Sequence, residues 1–217
     1  MNKLIFKLFY FNHGFQVFFA LFTIFLTSCA TISGQAIRKI PSETAKNPEI
    51  YFCPKDDCSK VFENRIKSAN LSVYCAFYDL DLKNIINALA KKSKTVDVKL
   101  VMDSSNYKEQ VKGDGIKLDD DAQLMHDKFC LIDGNVVITG SFNPTDNDNN
   151  YNNNNIIVIY SNILTKNYED EFDELWNGNF GEGNSVTNPI LYINNIKIEN
   201  YFCPEDNCAS HIIDQIK

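Results

Sequence analysis

The chain has 217 residues, 44% of them hydrophobic and 23% charged, with 21 Lys and Arg against 28 Asp and Glu. That composition excludes a disordered, collagen-like or polytopic membrane protein, and the length suits one ordinary domain with appendages rather than two full domains. Half of the 16 Phe residues precede Cys29, so the overall apolar fraction overstates the core available to the rest.

Residues 1–28 read as an export signal. Lys3 and Lys7 give a positive start, no acid precedes Glu43, and Phe15 to Leu26 form the apolar run such a segment needs. Leu26-Thr27-Ser28-Cys29-Ala30 resembles the bacterial lipoprotein cleavage box, in which the Cys receives lipid and becomes the new N-terminus. On that reading Cys29 is a lipidation site, and the protein is exported and membrane-anchored on the extracytoplasmic face. The alternative is an uncleaved N-terminal anchor with an incidental Cys, although Asn12, His13 and Gly14 cut the apolar run below the roughly 20 residues a span requires. Either way the domain is tethered to a membrane. Removal of residues 1–28 leaves 19 Lys and Arg against 28 acids, a net charge of −9. Such an acidic body argues against a broad nucleic-acid surface, which carries a basic stripe. Lys91, Lys92 and Lys94 form the one obvious basic cluster.

Residues 29–48 are polar, contain Pro41 and suit a tether. The domain, residues 49–177, opens with a short strand at Ile50-Tyr51-Phe52, and Pro54, Asp56 and Asp57 suit a helix start. Leu71 to Tyr78 is β-branched and aromatic, Leu82, Ile85, Ile86 and Leu89 recur at helical spacing, and Val96 to Met102 alternates before becoming an apolar run. This strand, helix, strand pattern predicts an α/β fold with a mixed, largely parallel sheet covered by helices on both faces. Phe129 to Ile132 and Val136 to Thr139 flank a tight turn at Asp133-Gly134-Asn135, a hairpin signal. Asp146 to Asn155 is rich in Asn and Asp and reads as a surface loop. Ile156 to Tyr160 reads as a strand, and Leu164, Tyr168, Phe172, Leu175 and Trp176 mark one face of a last helix. Residues 178–197, with glycines at 178, 181 and 183, read as a linker.

Glu199 to Cys208 (ENYFCPEDNC) repeats Glu49 to Cys58 (EIYFCPKDDC) at a displacement of 150 residues, and Ile216-Lys217 matches Ile66-Lys67. Self-similarity at a fixed offset implies duplication of a structural unit. Residues 198–217 are therefore read as the truncated start of a second copy. The alternative is a complete appendage that pairs with another chain. Both point to two-fold assembly.

Seven cysteines in an exported chain permit disulfides. With Cys29 assigned to lipid, Cys53 with Cys58 and Cys203 with Cys208 form repeated C-x4-C pairs. These suit a disulfide better than half of a metal site, because no nearby His completes a ligand set. Cys75 and Cys130 lie in apolar strands and are expected to be buried small hydrophobes.

The chemistry concentrates around His126. On a strand, His126 and Lys128 project to one face because side chains alternate, so an imidazole and an ammonium meet. The imidazole can attack phosphorus or move a proton near neutral pH. Lys128, with donors from Ser141 and Asn143, can neutralise phosphate oxygens. This is a phosphoryl-binding set that calls for no metal and no cofactor.

The run from His126 through Lys128, Asp133, Gly140 and Ser141 to Asn143 resembles the HxKxxxxD…GSxN signature of the phospholipase D superfamily. The resemblance covers roughly residues 49–177 and favours the compact single-motif branch that includes bacterial endonucleases and the mitochondrial cardiolipin hydrolase. It implies that His126 is the nucleophile or, in a partner copy, the general acid. By the same resemblance Lys128, Ser141 and Asn143 bind phosphate, and Asp133 supports the motif without touching phosphorus. Relatives often carry an acid before the Asn of the next strand, thought to orient the His; this chain has Asn154-Asn155 there. The family's site uses two such motifs, so one chain needs a homodimer or a missing second copy. Three functions are open: a membrane-tethered phospholipase D-type phosphodiesterase cleaving phospholipid headgroups through phosphohistidine, a nuclease of the same chemistry, and a surface lipoprotein that has lost turnover.

Overall fold

The structure, a computed structural model, describes residues 39–216. The signal segment and Cys29 lie outside the described residues. Among the described residues no helix is long and apolar enough to cross a membrane.

Seven strands form the main sheet: β2 (Glu49–Phe52), β3 (Ser72–Phe77), β4 (Asp97–Asp103), β5 (Ile116–Asp119), β6 (Lys128–Ile132), β7 (Val136–Gly140) and β8 (Asn155–Tyr160), in the order β2-β8-β7-β6-β3-β4-β5. Helices α1 (Cys58–Ser68) and α2 (Lys83–Lys92) cover one face, and α4 (Asn162–Asn177) covers the other. The parallel character that the strand, helix, strand pattern predicts is confined to the pairings of β3 with β4 and β4 with β5. Antiparallel pairing joins β2 with β8, β3 with β6, β6 with β7 and β7 with β8. The reason is connectivity. Residues 128–160 return as neighbouring strands, whereas parallel pairing needs a long crossover, supplied by α2 between β3 and β4 and by residues 104–115 between β4 and β5.

Alternation splits the central strands between two cores. Cys130 and Ile132 of β6 face α1 and α2, with Phe62, Ile66, Ile85 and Leu89, while Phe129 and Leu131 face α4, with Phe172 and Leu175. With both faces buried, a one-residue slip of β6 would exchange the two cores, so register is strongly fixed. Cys75 and Cys130 sit opposite each other in the β3–β6 pairing and form a disulfide. This corrects their reading as unlinked hydrophobes: each strand looks merely apolar alone, and only the pairing register reveals the bond.

The segment after Thr145 is not a free loop. Thr145 caps a short helix, α3 (Asp146–Asn150), by accepting from the Asp148 N–H, and Asp148 is buried. Asn149 accepts from the Ser59 N–H at 2.9 Å, tying α3 to the start of α1. The polarity that argued against packing satisfies backbone donors instead.

Two assigned connectors also carry structure. Residues 178–197 hold β9 (Ile190–Ile193) and the start of β10 (Ile196–Glu199), which form a hairpin, and β1 (Ser42–Glu43), inside the expected tether, pairs in parallel with β9. Asn194 and Asn195 make the turn at positive φ, which Asn tolerates. Leu191 and Ile193 are fully buried beside α4. A four-residue strand with alternating burial is too short to outweigh the glycines before it in a sequence reading.

The two repeated segments share local structure. Cys53 and Cys58 are disulfide-bonded, as are Cys203 and Cys208. Asp56 accepts from the Phe52 N–H at 2.8 Å and Asp206 from the Phe202 N–H at 2.9 Å. Asp57 and Asn207 precede their helices at φ 47° and 49°. Burial differs. Phe62 and Ile66 of α1 are in the core, whereas Ile212 and Ile216 of α5 (Cys208–Ile216), at the matching offsets, are 61% and 80% exposed.

Candidate active site

β6 and its two neighbours assemble the site. The Tyr78 N–H, just beyond β3, donates to the Asp127 carbonyl at 3.0 Å and brings the Tyr78 ring beside the start of β6. The His126 ring meets that ring edge-on at 4.6 Å between centroids. Lys128 Nζ lies 5.3 Å from the centroid of the same ring and donates to the His126 carbonyl at 2.8 Å. His126 itself precedes the regular strand and is exposed, while Lys128 is 9% exposed. Imidazole and ammonium therefore converge on Tyr78, one reachable and one shielded from water.

Their charges interact. Burial, then the Lys128 ammonium, holds the His126 imidazole below its ordinary value, and the Asp103 carboxylate partly opposes them. The imidazole is thus free of its proton at neutral pH, the state that attacks phosphorus. Its ring nitrogens make no hydrogen bond among the described residues. Asp103 closes β4, where it accepts from the Met125 N–H at 3.2 Å and the Ser105 N–H at 2.9 Å. It thereby fixes the residue before His126. Burial lowers Lys128 from the usual lysine value, against the carboxylates of Asp127 and Asp148.

Asn143 is held by Asp148, which accepts from its N–H at 2.8 Å and its Nδ2 at 2.9 Å. Asn143 Oδ1 is buried without a hydrogen-bond partner. Because the Asp148 charge acts on Lys128, these groups share one neighbourhood. Ser141 is tied to β8: its Oγ donates to Asn155 Oδ1 at 3.0 Å and accepts from the Asn155 N–H at 3.1 Å. Gly140 is obligatory here. It sits at φ 151°, and a Cβ would meet the Asn155 carbonyl and come within 3.0 Å of the Ile156 Cα.

Asp133 lies beyond the opposite end of β6 and approaches none of these groups. Its carboxylate accepts from the N–H groups of Leu71 at 2.7 Å, Ser72 at 3.0 Å and Asn70 at 2.9 Å. Burial alone would raise its pKa; the donors of Leu71, Ser72 and Asn70 outweigh this and bring it below the ordinary carboxylate value. Lys92, of the basic cluster, acts on Asp133 and so belongs to that far end.

Sequence reasoning missed Tyr78, Asp103 and Asp148, and named Asn155 only as the residue after the departure at Asn154. An acid closing a parallel strand, as Asp103 does, is a readable signal, since α/β sites gather at the carboxyl ends of strands. Tyr78 and Asp148 carried none, because their roles depend on the β3–β6 pairing and on α3.

The family model described as "Cardiolipin synthase, PLD-like domain" matches residues 62–176, more than half of the chain. The chain belongs to the phospholipase D superfamily. Its PLD-like domain is 31% identical over 139 residues to a phospholipase D of Rickettsia typhi, a match covering 59% of this chain and 68% of that one. It is 38% identical over 64 residues to the mitochondrial cardiolipin hydrolase of Xenopus tropicalis, 30% of each chain. The phospholipase D family member Nuc from Salmonella typhimurium superposes with a TM-score of 0.53 at 25% identity, covering 61% of this chain and 96% of that structure. The superfamily is one of phosphodiesterases, and the matched residues 62–176 include His126, Lys128, Ser141 and Asn143.

Proposed function

We propose that this PLD-like domain hydrolyses phospholipid headgroup esters through a phosphohistidine intermediate, working at a membrane to which Cys29 tethers it. The observation that carries the reading is the exposed, proton-free imidazole of His126 and the shielded ammonium of Lys128, both set against the Tyr78 ring. One imidazole attacks phosphorus, the bond from phosphorus to the headgroup oxygen breaks, and a second imidazole protonates the departing alcohol. Water, giving its proton back to that second group, then displaces the first imidazole and releases phosphatidic acid. Lys128 and Asn143 offset the oxyanion charge, where fixed donors are worth most. The second imidazole comes from another copy of the motif, in a homodimer or a duplicated partner. The similarity to a Rickettsia phospholipase D supports lipid over nucleic acid, as does the placing of the basic cluster away from His126.

The test uses the full chain in detergent micelles with phosphatidylethanolamine or single-stranded DNA, with and without EDTA. Release of phosphatidic acid that resists EDTA and is lost in His126→Asn is expected, with an alkaline denaturing quench trapping lipid phosphate on protein. DNA cleavage without lipid turnover would replace the lipid reading by a nuclease. Turnover unchanged in His126→Asn would assign it to a contaminant.

A further inference from the structure

The two C-x4-C loops are closed by the same bond in opposite surroundings. Cys53 and Cys58 are 4% and 0% exposed and belong to the core under α1, and the Cys53 N–H donates to the Asn154 carbonyl at 2.8 Å. Cys203 is exposed, and Cys208 is the first residue of α5, none of whose residues is buried. The third bond, Cys75–Cys130, is wholly buried in the sheet. Thiol–disulfide exchange requires a thiolate to reach sulfur, so a dissolved thiol meets Cys203 long before Cys53 or Cys75. Of the exposed pair Cys208 is the better leaving group, because the free N–H groups in the first turn of α5 favour a thiolate there.

What the exposed bond holds is a wall. Up to Phe202 the tail is anchored to α4: Asn167 Nδ2 donates to Asn200 Oδ1 at 3.1 Å, and the Phe202 ring meets Tyr168 edge-on at 4.9 Å. Beyond it, Cys203, Pro204 and Glu205 line a cavity of about 680 Å³ beside His126, shared with Asp127 and Glu171. Like charges push this wall outward. Burial, then Asp127 and then Glu205, lift Glu171 to about 8; burial lifts Asp127 to about 6, with Lys128 opposing and Glu205 adding. Glu205 Oε2 is buried without a hydrogen-bond partner, a costly state. Nor does α5 hold itself. It has nine residues, short of the roughly 12–15 that an isolated helix needs in water. Its His211 ring rests on Tyr201 at 3.7 Å between centroids, while Ile212, Ile213 and Ile216 stay exposed. By contrast α1 buries Phe62 and Ile66, a seat in the core that does not depend on a disulfide.

We infer that Cys203–Cys208 is a thiol-exchange site at which a small thiol such as glutathione unlatches the tail wall beside His126, while the other two disulfides stay closed. A glutathione thiolate attacks Cys203 Sγ and the Cys208 thiolate departs, leaving a mixed disulfide on Cys203. A second thiolate attacks the glutathione sulfur of that bond and releases Cys203. Two electrons pass from two thiols to the protein disulfide, glutathione disulfide forms, and the protons of the two thiols end on Cys203 and Cys208. Residues 203–216, freed of their closure, leave the cavity, and Glu205 goes with them. His126 is then open to substrate from that flank; this consequence rests on the phosphodiesterase reading above, whereas the exchange itself does not.

The test exposes the full chain in dodecylmaltoside to graded reduced glutathione, quenches with N-ethylmaleimide and maps the label by mass spectrometry. Cys203 and Cys208 are expected to be labelled about tenfold or more faster than Cys53 and Cys58, with Cys75 and Cys130 unlabelled in the folded protein. Equal rates at the two C-x4-C loops, or no labelling of Cys203 short of unfolding, would overturn the exchange site. Hydrogen exchange on the same samples is expected to show residues 203–216 losing protection while residues 49–68 keep theirs; an unchanged tail after cleavage would overturn the unlatching. Glutathione is expected to raise hydrolysis of bis(p-nitrophenyl) phosphate severalfold in the wild type. Cys203→Ser/Cys208→Ser should start at the raised level and not respond. Turnover indifferent to both treatments would overturn the opening toward His126. Absence of any hydrolysis would defeat the phosphodiesterase reading, while labelling and hydrogen exchange still decide the exchange site.

Discussion

Asp133→Asn isolates what the motif aspartate does. Asn tolerates the positive φ of 54° that Asp133 adopts, so the change tests hydrogen bonding rather than backbone strain. In the native protein the carboxylate gathers the N–H groups of Asn70, Leu71 and Ser72 and pins the start of β3 to the β6–β7 turn. Hydrogen bonds to a charged acceptor contribute about 1.5–3 kcal/mol each, and the amide keeps one acceptor oxygen while turning a donor toward the Asn70 N–H. Partial exposure screens the difference, so a net loss of about 2 kcal/mol is expected. At this chain length that is a fall of about 4–8 °C in melting temperature. The sign of the pH dependence follows from the depressed folded pKa. The carboxylate's contribution is complete above the ordinary range of an unfolded Asp and disappears as pH falls through the lower folded value. Urea unfolding of both proteins at neutral pH and at several acidic values should show their stabilities converging as pH falls. Turnover well below the melting temperature should be unchanged. A constant difference across that range, or a selective loss of turnover in the folded variant, would refute the scaffold role.

Three other outcomes follow from the site. The His126 imidazole should titrate below 6.5 by NMR, and Lys128→Met should move it upward by removing the neighbouring ammonium; an unmoved titration would separate the two groups. Asp148→Asn should cost about 1–3 kcal/mol in urea unfolding, because the Asn143 donors lose a buried charged acceptor, and should lower phosphodiester turnover by freeing Asn143. Reduction of the Cys75–Cys130 bond should destabilise the fold by about 4 kcal/mol, the loop-entropy value for a sequence separation of 55, measured as a melting shift against Cys75→Ala/Cys130→Ala.

The sequence made the central features legible where local pattern and structural need coincide. The alternation of Phe129 to Ile132, the Asp133-Gly134-Asn135 turn and the spacing of Leu164, Phe172 and Leu175 are local facts, and β6, β7 and α4 follow from them. What stayed hidden depends on residues far apart in the chain. Cys75 meets Cys130 only once β3 and β6 pair. Asp148 looks like one acid among many amides until Thr145 caps α3 and turns it toward Asn143. The β9–β10 hairpin was masked because Leu191 and Ile193 need β1 and α4 to complete their burial.

The bond between Cys75 and Cys130 crosses the junction where the parallel and antiparallel halves of the sheet meet. Tyr78 follows one of the joined strands, and His126 with Lys128 opens the other. Fraying that begins at either outer edge, in β2 or in β5, must travel inward to this covalent rivet before it can pull the reacting groups apart. The chemistry is therefore mounted on the portion of the molecule expected to surrender its shape last.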